Sequence, residues 1–326
     1  MGAGGGDGAA RRARWVDEEV DARTHRANRV NTVFDLERYL KERAQIVERE
    51  LARVVAEPAG AAATLFDAMR YSLLGGGKRL RPVLALAACE AVGGKIDAAF
   101  GIACAVEMIH TYSLIHDDLP CMDDDDLRHG RPSSHKVYGE AFATLAGDAL
   151  LTDAFKVLAR SASEVVPPAV MIKTIVELAE AAGSAGMVSG QTIDILGQAK
   201  TLDQLEELHS KKTGAMFLAS IKGGARIGGA DANQLRALDF YGRALGLAFQ
   251  VIDDLLDVES TTEQLGKRTQ KDAGQGKATY PGILGIEQSH NFARELENRA
   301  HRALDIFDYR AEPLRQIATF VVERKR

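Results

Sequence analysis

Runs that alternate apolar and polar residues at period two are scarce in this chain, and Ala, Leu, Glu and Arg dominate it. That pattern favours helix over strand. Eight prolines among 326 residues leave room for long helices. Asn31 to Glu57 predicts a long amphipathic helix, ended by Pro58-Ala59-Gly60. Ala61 to Leu74 predicts a second, stopped by Gly75-Gly76-Gly77, and Arg81 to Val92 a third with Pro82 in its first turn. Asp97 to His116 is strongly apolar. Helices are also predicted over Tyr138 to Ser161, Ala169 to Gln191, Leu202 to Ile221 and the long apolar stretch Asn233 to Val258. Gly266 to Thr279 is glycine-rich and basic and predicts a loop or lid. Phe292 to Ile306 and Glu312 to Val322 close the chain. Several central helices lack a broad charged face, which implies burial on all sides. The expectation is an all-α fold, a bundle of long helices in one domain over residues 26–326. Residues 1–25, opening Met1-Gly2-Ala3-Gly4-Gly5-Gly6, are expected to be disordered or extended.

Composition narrows the class. Hydrophobic residues make up 46% and charged residues 27%, a globular balance. A formal net charge of -5 argues against a nucleic-acid partner. Cys89, Cys104 and Cys121 have no zinc-ligand spacing and suggest no disulfide framework, which fits a reducing cytoplasm. A short organellar targeting extension around Arg11-Arg12-Ala13-Arg14 stays open. No run of eighteen apolar residues marks a membrane span, so no integral membrane association is expected.

Two aspartate clusters carry the chemistry. The first is Asp117-Asp118-Leu-Pro-Cys-Met-Asp123-Asp124-Asp125-Asp126, the second Asp253-Asp254-Leu-Leu-Asp257. Each follows an apolar run, where packed carboxylates repel unless a strong cation neutralises them. Hard divalent metals take oxygen ligands, and magnesium typically bridges carboxylates to substrate phosphates. Asp253 and Asp257, four apart, share a helix face, with Asp254 one step round and Gln250 one turn before. A solvated acidic turn is the bland alternative, but Phe249, Val251, Ile252, Leu255 and Leu256 surround these acids with apolar positions. In the first cluster, Pro120 and the six-residue step from Asp117 to Asp123 predict a bulge rather than one regular helix. Asp117, Asp118 and Asp123 are the candidate metal carboxylates. Asp124, Asp125 and Asp126 read equally as solvent-facing acids at a helix start.

Cations supply the other half. Gly75-Gly76-Gly77-Lys78-Arg79-Leu80-Arg81-Pro82 is a turn loaded with charge before a helix. Glycine allows close backbone approach, and arginine offers a planar fork to phosphate oxygens. The nucleotide pattern GxxxxGK[ST] is absent. Arg128, Lys212, Lys267 and Lys277 are further candidates, each alone a plausible surface residue. Together, acids and bases describe a metal–diphosphate site beside a second, metal-free anion site.

These motifs resemble the trans-isoprenyl diphosphate synthases, the family of farnesyl and geranylgeranyl diphosphate synthases. The matches are Gly75 to Pro82, His110-Thr-Tyr112-Ser-Leu-Ile-His116-Asp117-Asp118, Gly190-Gln191-Thr-Ile-Asp194, Lys212-Thr213-Gly214, Phe249-Gln250-Val-Ile-Asp253-Asp254-Leu-Leu-Asp257, and Lys267 to Lys277. The likeness runs from about residue 30 to the C-terminus. It implies a helical isoprenoid synthase fold around a deep central cavity, a homodimer, and three magnesium ions for which manganese can substitute. It implies Asp117, Asp123 and Asp253 as principal metal ligands, supported by Asp118 and Asp257. Arg128, Lys212 and Lys267 correspond to binders of the allylic diphosphate, joined indirectly by Gln191 or Gln250. Lys277 falls at the end of the same matched segment. Lys78, Arg81 and His110 correspond to the isopentenyl diphosphate site. Oxygens of Lys212 and Thr213 would face a developing allylic cation. The implied reaction is ionisation of an allylic diphosphate, attack by the alkene of isopentenyl diphosphate, and loss of a proton.

One departure stands out. The family usually has two arginines after the first aspartate motif, whereas this chain has Arg128-His129. His129 is fully charged only when protonated, so binding of isopentenyl diphosphate is expected to weaken at high pH or to be compensated by Lys78 and Arg81. For product length, Tyr112 lies five residues before Asp117, about 7.5 Å along an ideal helix. An aromatic there resembles the bacterial farnesyl-making type. Cys121-Met122 and Glu107 to Thr111 resemble plastid geranylgeranyl makers, and Met108 or Cys104 would form a deeper floor. A C15 product is expected, with C20 the alternative. A terpene cyclase would not need Lys78, Arg81 and His110. A catalytically silent subunit should have lost carboxylates, and a helical scaffold would not gather acids and bases at helix ends.

Overall fold

The computed structural model describes residues 34–57, 59–161, 166–263 and 278–324, the side chains of 260–263 excepted. Leu36–Arg326 form one compact unit. The segment expected to be disordered, residues 1–25, lies outside the described residues, as do the predicted lid up to Lys277 and the cations Lys267 and Lys277.

Helices account for nearly all of it, as the period-two scarcity predicts. In order they are α1 Leu36–Val54, α2 Ala63–Leu73, α3 Leu80–Ala91 and α4 Phe100–Asp117. A two-residue hairpin, β1 Leu127–Arg128 and β2 Arg131–Pro132, precedes α5 Ser134–Tyr138 and α6 Glu140–Arg160. Then come α7 Pro168–Ala182, α8 Met187–Leu196, α9 Leu202–His209, a π-turn Ser210–Gly214 and α10 Ala215–Ile227. The long α11 Ala232–Glu263, α12 Tyr280–Leu284, α13 Ile286–Ala303 and α14 Glu312–Glu323 complete the unit.

Helix α4 is the axis of the fold. From Gly101 to Ile109 every residue is buried, with Thr111, Tyr112 and Ile115 beyond. It packs against α6, α3 and α10. Each fully buried Leu, Ile or Met here contributes on the order of 1.5–3 kcal/mol. By length and mean hydropathy Ile96–Asp117 could cross a membrane although charged residues interrupt it, yet 72% of its most apolar stretch is buried inside the fold. That burial accounts for its composition without a bilayer.

Several predicted elements differ, among them the helix expected over Phe292 to Ile306, which runs from Ile286 to Ala303. The helix expected over Ala169 to Gln191 is two, because Gly183 takes an extended conformation as the C-cap of α7 and Gly186 precedes α8. The helix expected from Tyr138 begins only at Glu140, since Gly139 sits at φ 82 and separates α5 from α6. The helix expected over Leu202 to Ile221 opens on a capping box, Thr201 with Gln204, but after about two turns it passes into the π-turn. Such single π-turns insert one residue and re-aim neighbouring side chains. Here the re-aimed residues include Lys212 and Thr213.

Candidate active site

Two cavities open near the C-terminal end of α4. The first, about 400 Å³, is lined by Gly75–Arg81, by Glu107, His110 and Leu114 of α4, by Asp118 just past its end, by the hairpin, and by Phe249. The second, about 610 Å³, is lined by Asp123, Asp125, Asp194, Asp253, Asp254 and Asp257, with Lys212, His209 and Gln250. Arg128 lines both. The first is thus rich in cations and the second in carboxylates.

The bulge predicted in the first aspartate cluster is present. Helix α4 ends at Asp117, and the chain folds back so that Asp123 N–H donates to the Asp117 carbonyl at 2.8 Å and Asp125 N–H to that of Asp118 at 3.2 Å. Asp124 is left-handed at φ 50. The expectation that Asp124, Asp125 and Asp126 start a helix is corrected: they lead into the hairpin, and the next helix begins only at Ser134. Asp125 and Asp126 instead pair with Arg128 and Lys136.

Each acid is already engaged. Asp117 accepts from Gln191 Nε2 at 2.9 Å. Burial pushes its carboxyl up to about 6, against Lys212 and with Asp123 adding to the rise. Asp118 is buried and holds Arg128 through its Nε at 3.0 Å and its Nη2. It lines the first cavity rather than the carboxylate-rich second. Asp253 binds Arg324 and accepts from Gln250 Nε2 at 3.3 Å. Its carboxyl is also raised by burial, with Arg324 and Gln250 opposing. Asp254 accepts from the Tyr280 N–H at 2.9 Å, which ties α12 to α11. Lys212 pairs with Asp194, and Thr213 donates to Gln250. Gly190 makes this possible: a Cβ there would lie 2.2 Å from the Lys212 nitrogen, so only glycine lets α8 meet the π-turn.

In the first cavity, burial holds the His110 imidazole well below its usual range, with Arg81 and His129 adding to the effect. His129, at the hairpin tip with φ 51, is likewise lowered by burial and by Arg128. It is therefore neutral near pH 7. The guanidinium of Arg81 sits over the Phe217 ring at 5.0 Å, and its buried Nε lacks a hydrogen-bond partner. Lys78 is exposed at the cavity edge.

Sequence reading assigned no individual role to three arginines, although it expected the C-terminal segment that contains Arg324 to order over the site. Arg79 is a buried anchor: its Nη1 donates to Glu107 at 2.6 Å and its Nη2 to the Leu73 carbonyl at 2.7 Å. Arg131 lines the first cavity. Arg324 reaches both the Phe249 carbonyl, at 2.9 Å, and Asp253. Arg79 stood in a quoted motif and Arg131 two residues beyond Arg128-His129, but nothing in sequence separated their roles from those of their neighbours. Tyr112 and Met108 are buried on α4 and are not among the residues lining these two cavities. Tyr112 stacks edge-on with His116 at 5.7 Å.

A divalent cation fits this donor set: the second cavity presents carboxylate oxygens from the loop after α4, from α8 and from α11, and Asp117 and Asp253 are destabilised as anions without one. Among the described residues no cluster forms a ready-made three-ligand metal site. That agrees with magnesium drawing part of its shell from water and substrate phosphate.

An all-helical bundle with a carboxylate-rich cavity beside a cation-rich one defines a class of enzyme that handles diphosphates. Residues 62–306 match the polyprenyl synthetase family model, and the chain belongs to that family, the trans-isoprenyl diphosphate synthases. It is 49% identical over 278 residues to a farnesyl diphosphate synthase of Geobacillus stearothermophilus, covering 84% of this chain and 93% of that one. It is 45% identical over 298 residues to a geranylgeranyl diphosphate synthase of Cyanophora paradoxa, covering 90% and 98%. The crystal structure of an FPP/GFPP synthase from Zymomonas mobilis superimposes with a TM-score of 0.79 at 38% identity, covering 88% of this chain and 98% of that one. The fold is the isoprenoid synthase bundle, and the enzyme is a prenyltransferase that condenses isoprenoid diphosphates.

Proposed function

We propose that this enzyme joins isopentenyl diphosphate head-to-tail to dimethylallyl and geranyl diphosphate and releases farnesyl diphosphate. The observation that carries the two-substrate reading is the pair of cavities sharing Arg128. One offers carboxylates for a metal-bound diphosphate, and the other offers unpaired cations for a diphosphate without metal.

Asp117, Asp123 and Asp253 would hold magnesium ions, three in all, with Asp257 in support; manganese is expected to substitute. When bound, the metal neutralises the leaving diphosphate. Gln191 fixes the Asp117 carboxylate and Gln250 that of Asp253. Asp118 orients the Arg128 guanidinium towards the boundary between substrates. Lys212 and Arg128 take the allylic diphosphate, with Lys267 and Lys277 assigned to it by resemblance alone. Lys78 and Arg81 take isopentenyl diphosphate, and His110 donates a hydrogen bond to it. The Thr213 oxygen and the Lys212 carbonyl face the allylic carbon as positive charge develops there. Water must be excluded, because it would trap that cation.

The C15 limit rests on Tyr112, a bulky buried side chain on α4 below the first aspartates. Relatives named for C15 and for C20 products are both similar to this chain, so C20 is the competing outcome. The test is a magnesium-dependent assay with isopentenyl diphosphate plus dimethylallyl, geranyl or farnesyl diphosphate, resolving product lengths. Accumulation of C15 with little use of farnesyl diphosphate supports the reading; efficient conversion of farnesyl diphosphate to C20 overturns the length assignment. A homodimer is expected, supported by the exposed Val137, Phe142 and Leu145 on α5 and α6. Light scattering at the mass of a single chain would exclude it.

A further inference from the structure

The hairpin Leu127–Arg128/Arg131–Pro132 places Arg131 directly opposite Arg128 in antiparallel register. Residues opposite one another in such a pair project from the same face. The two residues between them, His129 and Gly130, both have positive φ, 51 and 76, as a tight two-residue turn of the primed kind requires. The chain thus turns at His129 and brings the next arginine back alongside Arg128.

Arg131 is held in place there. Its guanidinium lies over the Tyr71 ring at 4.2 Å. Tyr71 is fixed in turn, its hydroxyl donating to the Pro132 carbonyl at 2.8 Å and its ring meeting Tyr138 edge-on. A Cβ at Gly75 would come within 2.8 Å of Arg131 Nη1, so the guanidinium rests on the glycine turn that leads to Lys78. Arg128 is committed to Asp118 and Arg79 to Glu107. Arg131, like Lys78 and Arg81, lines this cavity without a carboxylate partner among the described residues. An arginine stacked on an aromatic ring keeps its planar fork free for a phosphate.

We infer that Arg131 is a binding residue for the diphosphate of isopentenyl diphosphate, supplying from the second hairpin strand the charge that family members usually carry at the position of His129. This rests on the prenyl-transfer reading above and adds a residue to the metal-free subsite. Burial and the neighbouring Arg128 lower the His129 imidazole, which makes it a weaker source of positive charge than the arginine.

The test compares Arg131→Ala and His129→Ala with wild type by two readouts. One is steady-state KM for each substrate. The other is calorimetric binding of isopentenyl diphosphate in the presence of a chelator, which needs no turnover. Losing one charge-assisted contact to phosphate weakens binding about tenfold or more. Arg131→Ala should raise KM for isopentenyl diphosphate and weaken its chelator-insensitive binding by that factor, leaving KM for the allylic substrate within about threefold. His129→Ala should change either readout by less than about threefold. Adding His129→Arg to Arg131→Ala should restore most of the loss. If Arg131→Ala does not fold, Arg131→Lys, which keeps the charge but not the fork, replaces it and should show a smaller loss of the same kind. The reverse pattern, with His129→Ala weakening binding and Arg131→Ala not, overturns the inference. A wild type that binds isopentenyl diphosphate but forms no condensation product would refute the prenyl-transfer reading while leaving Arg131 standing. A wild type that condenses normally while both variants bind as it does would refute Arg131 alone.

Discussion

The buried pair Arg79–Glu107 sets the position of the whole first cavity, and breaking it gives a sharp test. Arg79 and Glu107 side chains are 2% and 6% exposed, their bond is 2.6 Å long, and the nearest other carboxylate to Arg79, on Glu48, is 3.8 Å away. Replacing Glu107 by Leu strands a guanidinium in the interior, at a cost of about 3–5 kcal/mol. Replacing Arg79 by Met strands the carboxylate instead and also removes the donor to the Leu73 carbonyl. Position 79 is left-handed, with φ 51, and Met keeps that strain, so backbone conformation is common to both proteins and the lost bond to Leu73 adds to the charge effect. The double variant Arg79→Met/Glu107→Leu leaves no buried charge and should recover at least about 2 kcal/mol of the summed losses. Against a total stability of about 5–15 kcal/mol, either single loss is large. Urea denaturation of the four proteins without ligands measures the cycle. Because Arg79 sits between Lys78 and Arg81, the single variants should also raise KM for isopentenyl diphosphate more than for the allylic substrate. A coupling energy below about 1 kcal/mol, or a Glu107→Leu loss below about 1 kcal/mol, refutes the reasoning that this pair is an interior ion pair holding the cation turn.

Three further outcomes are expected. Arg324→Gln removes the guanidinium bound to Asp253, so manganese binding followed by electron paramagnetic resonance without substrate should tighten several-fold; unchanged affinity means that Arg324 does not compete with metal. Asp117 has its carboxyl raised from 3.8 to about 6 in the metal-free protein, so the stability it contributes is full below about pH 4 and is lost as pH rises through 6, at most roughly 3 kcal/mol. Magnesium with inorganic diphosphate should therefore raise the melting temperature more at pH 8 than at pH 5.5, and an equal rise at both would contradict this. Tyr112→Ala should lengthen the main product by at least one C5 unit in a chain-length assay; retention of C15 alone moves the floor to Met108 or another helix.

What could be read from the sequence follows what is local. Helix identity is local, and so is the spacing of Asp253 and Asp257, which line one cavity as their four-residue separation requires. The bulge after Asp117 was legible because Pro120 forbids a regular helix there. The π-turn at Ser210–Gly214 was not, because nothing in Lys211-Lys212-Thr213 breaks a helix; the close approach of Gly190 and the packing of α8 and α11 set its geometry. The split of α7 from α8 was not legible because a glycine in a helical pattern can be tolerated within the helix or can end it. Arg324 and Asp253 lie 71 residues apart, and no periodicity links them. Asp118 shows a subtler limit: it belongs to the aspartate motif by sequence but faces the cation-rich cavity and serves Arg128.

The distribution of charge between the cavities then explains how so many carboxylates coexist in a metal-free fold. Asp117 has Gln191 beside it and Lys212 within electrostatic reach, Asp118 has Arg128, Asp194 has Lys212, and Asp253 has Arg324. The protein's own cations thus sit on or near these acids, Arg324 on the proposed metal ligand Asp253 among them, and burial still raises Asp117 and Asp253. Neutralisation by side chains is therefore incomplete, which leaves a driving force for divalent cation binding. Arg128 and Lys212 cannot be fully committed to acids if they also bind the allylic diphosphate. Metal ions held by Asp117, Asp123, Asp253 and Asp257 would add positive charge that draws the diphosphate in, and its oxygens would then compete with Asp118 and Asp194 for Arg128 and Lys212. On this argument neither ligand alone should bind as well as the pair. Diphosphate affinity should rise with magnesium and, by thermodynamic reciprocity, magnesium affinity should rise by the same factor with diphosphate.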